Sequence, residues 1–214
     1  MVGHAGISLI IFQRYLAYSL QMTLPVGSTL IPLLFASDGT HLTNYSGDKK
    51  LWPVYMTIGN IASKFRLKPS MHAWLPIAFL PMSPKRVMKV LGWSVAKQEL
   101  ESLDMTNRIL EYILRPLSDV GNNGVDMICS DEAKGCCYLR VAGWTADHSE
   151  SATIHAIYFN RYPLCECPAN ALGDDPLPGF EHYKRDPIRY QKLWDAKDTT
   201  SFQTLAVKPV ANFL

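Results

Sequence analysis

Two aspartates carry the strongest chemical signal in this chain of 214 residues. Asp38 directly follows the apolar run STLIPLLFAS (Ser28 to Ser37), and Asp147 closes a later strand-like stretch in the order Thr145-Ala146-Asp147-His148. Carboxylates at the ends of neighbouring strands can converge on shared divalent cations. Hard ions such as Mg²⁺ or Mn²⁺ take oxygen ligands, and two of them about 4 Å apart activate water and stabilise the leaving oxygen in phosphodiester cleavage. Taken singly, each aspartate has a plainer reading, since a strand-end Asp is commonly a turn former or a helix cap. Asp131, which lies with Asp126 in NGVDMICSDE (Asn123 to Glu132), competes for the second carboxylate; its plainer role is a turn residue.

A second chemistry is phosphate binding. Lys49, Lys50, Lys64, Arg66, Lys68, Lys85, Arg86 and Lys89 cluster in the first half of the chain, interleaved with Trp52 and Trp93. Such residues hold a nucleic-acid backbone or simply form a solvated face, and their pattern fits both equally. Of these, Lys49, Lys50, Lys64, Arg66 and Lys68 are the candidate DNA contacts. The balance of 21 basic against 19 acidic residues, a net charge of +2 and a pI near 8.2 are too mild to announce a nucleic-acid protein. Any DNA contact must come from a local patch.

Other chemistries lack their motifs. Cys165 and Cys167 are separated by one residue, closer than zinc ligands usually stand, and adjacent Cys136 and Cys137 would face opposite sides of a strand, so zinc is not expected. Five cysteines is an odd number and points to a reducing, intracellular compartment. No glycine-rich phosphate loop, nucleophile elbow or HExxH helix occurs.

The elements that must position the aspartates can be read from periodicity. Ser28 to Ser37 reads as a buried strand, and WPVYMTIG (Trp52 to Gly59) and AWLPIAFL (Ala73 to Leu80) complete a three-strand meander. Leu100, Leu103, Ile109, Leu110, Ile113, Leu114 and Leu117 then recur at helical spacing, with Pro116 marking an end or a kink. Val125 to Cys129 and Cys137 to Ala146 return to strand character. Upstream, Ile7 to Leu20 is apolar but broken by Gln13 and Arg14, short of the run of about 18 apolar residues that a membrane span needs. The organisation read from these patterns is a leader helix or poorly ordered segment over 1–24, a core over 25–168, and a polar, peripheral or partly disordered tail over 169–214 with a short helix near Tyr190 to Trp194.

The segment Leu34 to Lys50 (LFASDGTHLTNYSGDKK), running into LWPVYMTIGNI (Leu51 to Ile61), resembles the Plavaka transposases of the CACTA-like group. The likeness continues through KPSMHAWLPIAFLPM (Lys68 to Met82), PLSDVGNNGVDMICSDE (Pro116 to Glu132), VAGWTADHSES (Val141 to Ser151) and CPANALGDD (Cys167 to Asp175). It implies an α/β fold, an RNase H-like mixed sheet flanked by helices, incomplete at the C-terminus. It also implies metal-dependent cutting and joining of transposon DNA ends in the nucleus, by an acidic triad of the DDE type with Mg²⁺ or Mn²⁺. The first family acid falls on Asp38, and Asp147 corresponds to the Asp of an "ADxPE"-like strand end. Gly39 stands where the family often has lysine, Ser149 where it often has proline, and Tyr162 where a Cys-Pro-x-Cys element would begin. The chain stops where the family continues toward the third acid, so little activity in isolation is expected, and uncovered strand edges would favour self-association.

Overall fold

From Thr29 to Ser37 the chain forms strand β1, in which Leu30, Leu33, Leu34, Phe35 and Ser37 are buried. A strand shielded on both faces reads as a near-continuous apolar run, as this one does. The protein is described here by a computed structural model covering residues 17–43, 49–82, 90–128, 132–171 and 185–208. The further strands are β2 (Thr40–Thr43), β3 (Lys49–Ile58), β4 (Leu75–Leu80), β5 (Val125–Ile128) and β6 (Lys134–Thr145). The helices are α1 (Ser63–Arg66), α2 (Val95–Asn123), α3 (His148–Ile154), α4 (Pro187–Asp195) and α5 (Thr199–Leu205). The fold is thus mixed α/β.

The chain divides into two compact units, and it passes between them several times. The first comprises the residues up to Ser37, Pro53–Phe79 and Leu114–Thr145. Here the strands lie in the order β3-β1-β6-β5, and β4 pairs with β3. β1 runs antiparallel to β3, from Leu33 opposite Ile58 to Ser37 opposite Val54. It runs parallel to β6, from Thr29 opposite Cys137 to Ala36 opposite Thr145. Pro32, which has no N–H to donate, lies opposite Arg140 in this ladder, and between Leu33 and Leu34 the register slips so that they face Val141 and Gly143. The carbonyl of Pro32 still accepts the N–H of Gly59 at 2.6 Å. Beyond the slip the pairing resumes, and Phe35 stacks on Trp144 with ring centres 5.1 Å apart. The Trp144 indole N–H donates to Ser37 Oγ at 3.1 Å, which satisfies both polar groups at the strand ends.

The second unit comprises Asp38–Trp52, Leu80–Ile113 and the residues from Ala146 onward. β2 pairs with Lys49–Leu51, a strand that the polar composition of that stretch did not announce. On α2, Leu103, Thr106, Asn107 and Leu110 are buried at the three and four residue spacing of one helix face. Thr106 Oγ1 donates to the carbonyl of Ser102 and Asn107 Nδ2 to that of Leu103, so these polar side chains bond within the helix itself. Ala152 of α3 packs with Ile157, Tyr190, Phe202 and Val207 in a buried cluster.

One expectation is corrected. Pro116 does not end α2, which continues seven residues further to Asn123. A proline ring removes the bond to the carbonyl four residues back, here Tyr112, whose side chain is exposed, so water can serve that carbonyl. The described part of the polar C-terminal segment contributes to a buried cluster. Tyr190, Phe202 and Val207 are buried in it, because a few apolar residues at helical spacing suffice to cover a small core.

In the first unit, a Cβ built on Gly121 in the last turn of α2 would lie 2.9 Å from the carbonyl oxygen of Leu139. Alanine is intrinsically the better helix former by about 1 kcal/mol, but a backbone carbonyl cannot yield cheaply. Gly121→Ala is therefore expected to destabilise by about 1–3 kcal/mol, read as a lower urea midpoint; an unchanged or raised midpoint would show that α2 does not approach β6 this closely.

Candidate active site

Asp38 and Asp147 stand at equivalent places. The last parallel pair is Ala36 with Thr145, and each aspartate lies two residues beyond its member of that pair. Within the second unit the two segments are joined directly, since the N–H of Gly39 donates to Glu150 Oε1 at 2.5 Å. Asp38 itself is exposed.

Asp147 is the N-cap of α3. Its backbone is extended, and its Oδ1 accepts the N–H of Glu150 at 2.7 Å and the hydroxyl of Ser149 at 2.8 Å. This is the helix-cap role that such a residue commonly fills, and it leaves the carboxylate at a helix N-terminus where negative charge is favoured. The hydrogen bond from the Glu150 N–H, reinforced by Ser149 and opposed in part by burial, holds the Asp147 carboxyl below the usual carboxylate range. Asp147 is thus an anion at neutral pH.

Glu150 was not singled out by the sequence, although an Asp followed three residues later by Glu is a recognisable capping pattern. Its side chain is buried, and its reach to Gly39 across more than a hundred residues of chain is a tertiary fact.

The helix that carries these groups is held at its other end. Tyr158 N–H donates to Ala206 O and Lys208 N–H to Ala156 O, while Ile157 bridges Val207. Arg185 binds the carbonyls of Tyr162 and Leu205 and the hydroxyl of Tyr190, which in turn donates to Glu166 Oε1.

Carboxylate oxygens are the donors that a hard divalent cation takes, and Asp38 and Asp147 suit it in kind. Among the described residues, no three His, Cys, Asp or Glu side chains gather into a group that could hold a metal. The competing Asp131 lies outside the described residues.

The basic candidates fall in both units. Lys50 is exposed on β3, whereas the side chain of Lys49 lies outside the described part. In the first unit the Lys64 ammonium sits 5.0 Å from the centre of the Phe65 ring, and Lys68 is exposed. Arg66 is half-buried and donates to the carbonyl of Ile61 at 3.0 Å, so part of its guanidinium holds a turn together. Lys85, Arg86 and Lys89 lie outside the described residues. Cys167 is buried, with its thiol against the carbonyl of Ala171 at 3.3 Å. Among the described residues no helix is long and apolar enough to cross a membrane.

Comparison with protein families matches residues 13–213 to the family described as Plavaka transposase. Comparison with curated proteins gives no match.

Replacing the cap by alanine is expected to cost about 1 kcal/mol of stability, with most of it restored in Asp147→Ser. Because the folded Asp147 carboxyl titrates below its unfolded value, its charge-dependent contribution is complete above the unfolded pKa of about 3.9 and is lost as pH falls through the lower folded value. The stability difference between wild type and Asp147→Asn, measured by urea unfolding, should therefore be flat from neutral pH down to about pH 5 and shrink below about pH 4. Exposure to solvent keeps this difference small. A difference that grew on acidification would contradict the cap.

Proposed function

The chain belongs to the Plavaka transposase family, and on that premise we propose that it is a transposase-derived DNA-processing domain with an RNase H-like catalytic core. One observation carries the reading. Two parallel neighbouring strands, β1 and β6, each lead into an aspartate at the same distance past their last paired residues. The order β3-β1-β6, with β4 on β3 and α2 preceding the β5–β6 hairpin, supports the same core.

In this reading Asp38 and Asp147 hold a divalent cation, Mg²⁺ or Mn²⁺. The bound ion would supply activation of water and neutralisation of charge on the scissile phosphate. Asp147 stays ionised through its hydrogen bonds and so keeps a negative ligand ready at neutral pH. Lys49, Lys50, Lys64, Arg66 and Lys68 would neutralise DNA phosphates and set the position of the strand, without reading sequence. Two carboxylates alone bind such ions weakly, so efficient strand cleavage needs a further acidic ligand. The compartment that fits this role is the nucleus.

A second reading, a transposon-derived module that binds DNA or protein without cutting, draws on a specific observation. Asp147 Oδ1 already has two structural partners, the Glu150 N–H and the Ser149 hydroxyl.

Calorimetric titration of the purified chain with Mn²⁺ separates the two. Binding in wild type that is abolished by Asp38→Ala and by Asp147→Ala fits a shared site, whereas no binding, or binding indifferent to both changes, overturns it. Duplex DNA binding should weaken with salt, and Lys64→Ala or Lys68→Ala should each reduce the log–log salt slope by about 1. A slope unchanged by either substitution would remove that residue from the DNA contacts.

A further inference from the structure

Glu150 combines three properties that are rarely found together in the first turn of a short helix. It is acidic, it is only 8% exposed, and its carboxylate accepts a backbone N–H from a segment distant in sequence. Acidic side chains are almost never fully buried without partners, because desolvating the charge is costly. The bond from Gly39 supplies such a partner. Its geometry is close on every side, since a Cβ added to Gly39 would stand 3.2 Å from the same Oε1. The main chain of Glu150 meanwhile donates to Asp147 Oδ1. One residue therefore contacts both the residue after Asp38, through its side chain, and Asp147, through its backbone.

We infer that Glu150 is a positioning residue, which holds the Asp38–Gly39 segment to the start of α3 so that the two aspartates keep one fixed separation. The inference rests on the reading of Asp38 and Asp147 as a shared cation site. It assigns Glu150 no contact with the cation. The side chain acts through reach: a carboxylate one methylene shorter loses Gly39, while a neutral amide of the same length retains an oxygen to accept its N–H.

That difference sets the experiment. Glu150→Asp and Glu150→Gln are made in the full chain, and both are conservative enough to leave the fold in place, which far-ultraviolet dichroism verifies. Two quantities are measured: amide hydrogen exchange at Gly39 in the metal-free protein, and Mn²⁺ affinity by calorimetry. The positioning role predicts that Glu150→Asp loses Gly39 protection and weakens Mn²⁺ binding by about tenfold or more, the range typical of groups that orient metal ligands. Glu150→Gln should retain Gly39 protection and stay within about threefold of wild type in affinity, well short of that range.

The reverse order, with Glu150→Asp near wild type and Glu150→Gln impaired, would make the negative charge the active feature and overturn the proposal. So would a Gly39 amide that exchanges freely in wild type, or one indifferent to Glu150→Asp. If Gly39 protection depends on Glu150 but wild type takes up no Mn²⁺, the tie between the two segments stands and the shared cation site fails.

Discussion

The parallel pairing of β1 with β6 is the constraint on which the candidate site depends. Antiparallel neighbours bring opposite ends of two strands together, so their C-terminal residues emerge at opposite edges. Parallel neighbours send both C-terminal ends to one edge, and the connection between them must be long. Here that connection contains β2, β3, α1, β4, α2 and β5. β1 is an interior strand, with an antiparallel partner on one side and a parallel partner on the other. Phe35 on Trp144, with the indole N–H on Ser37, closes the pair just before the two aspartates.

Past the end of β6, the candidate site relies on short elements that need support from elsewhere. α3 has only seven residues, far too few to be stable as an isolated helix. Its N-terminus is satisfied by Asp147, and its far end is carried by Ala152 in the cluster with Ile157, Tyr190, Phe202 and Val207. Burying Tyr190 raises the pKa of its phenol chiefly through desolvation, and the hydroxyl is not orphaned, because Arg185 and Glu166 both meet it. The polar C-terminal segment thus contributes apolar anchors and a polar network around the Tyr190 hydroxyl to the unit that holds Asp147.

The same side chains serve structure and candidate chemistry at once. Asp147 is a helix cap whose hydrogen bonds also keep it ionised, and Arg66 is a candidate phosphate contact that also binds the carbonyl of Ile61. In both cases the local role is what fixes the side chain, and a fixed side chain is what a ligand site requires.

The sequence by itself determined a good deal. β1, β3, β4, α2, β5 and β6 were legible because their apolar residues repeat with periods of two or near 3.6, which depends only on local backbone geometry. Asp38 and Asp147 were legible as strand-end acids, and the family resemblance was carried by contiguous segments. Only the tertiary structure decided the features set by distant partners: the parallel register that places the two aspartates alike, the passage of α2 through Pro116 where an exposed turn tolerates the lost bond, and the burial of Tyr190 and Phe202 in a polar stretch. Glu150 is the clearest case. Its spacing from Asp147 matches a capping pattern, but its link to Gly39 joins residues whose proximity is created by strand pairing, and no periodicity along the chain encodes a contact of that range.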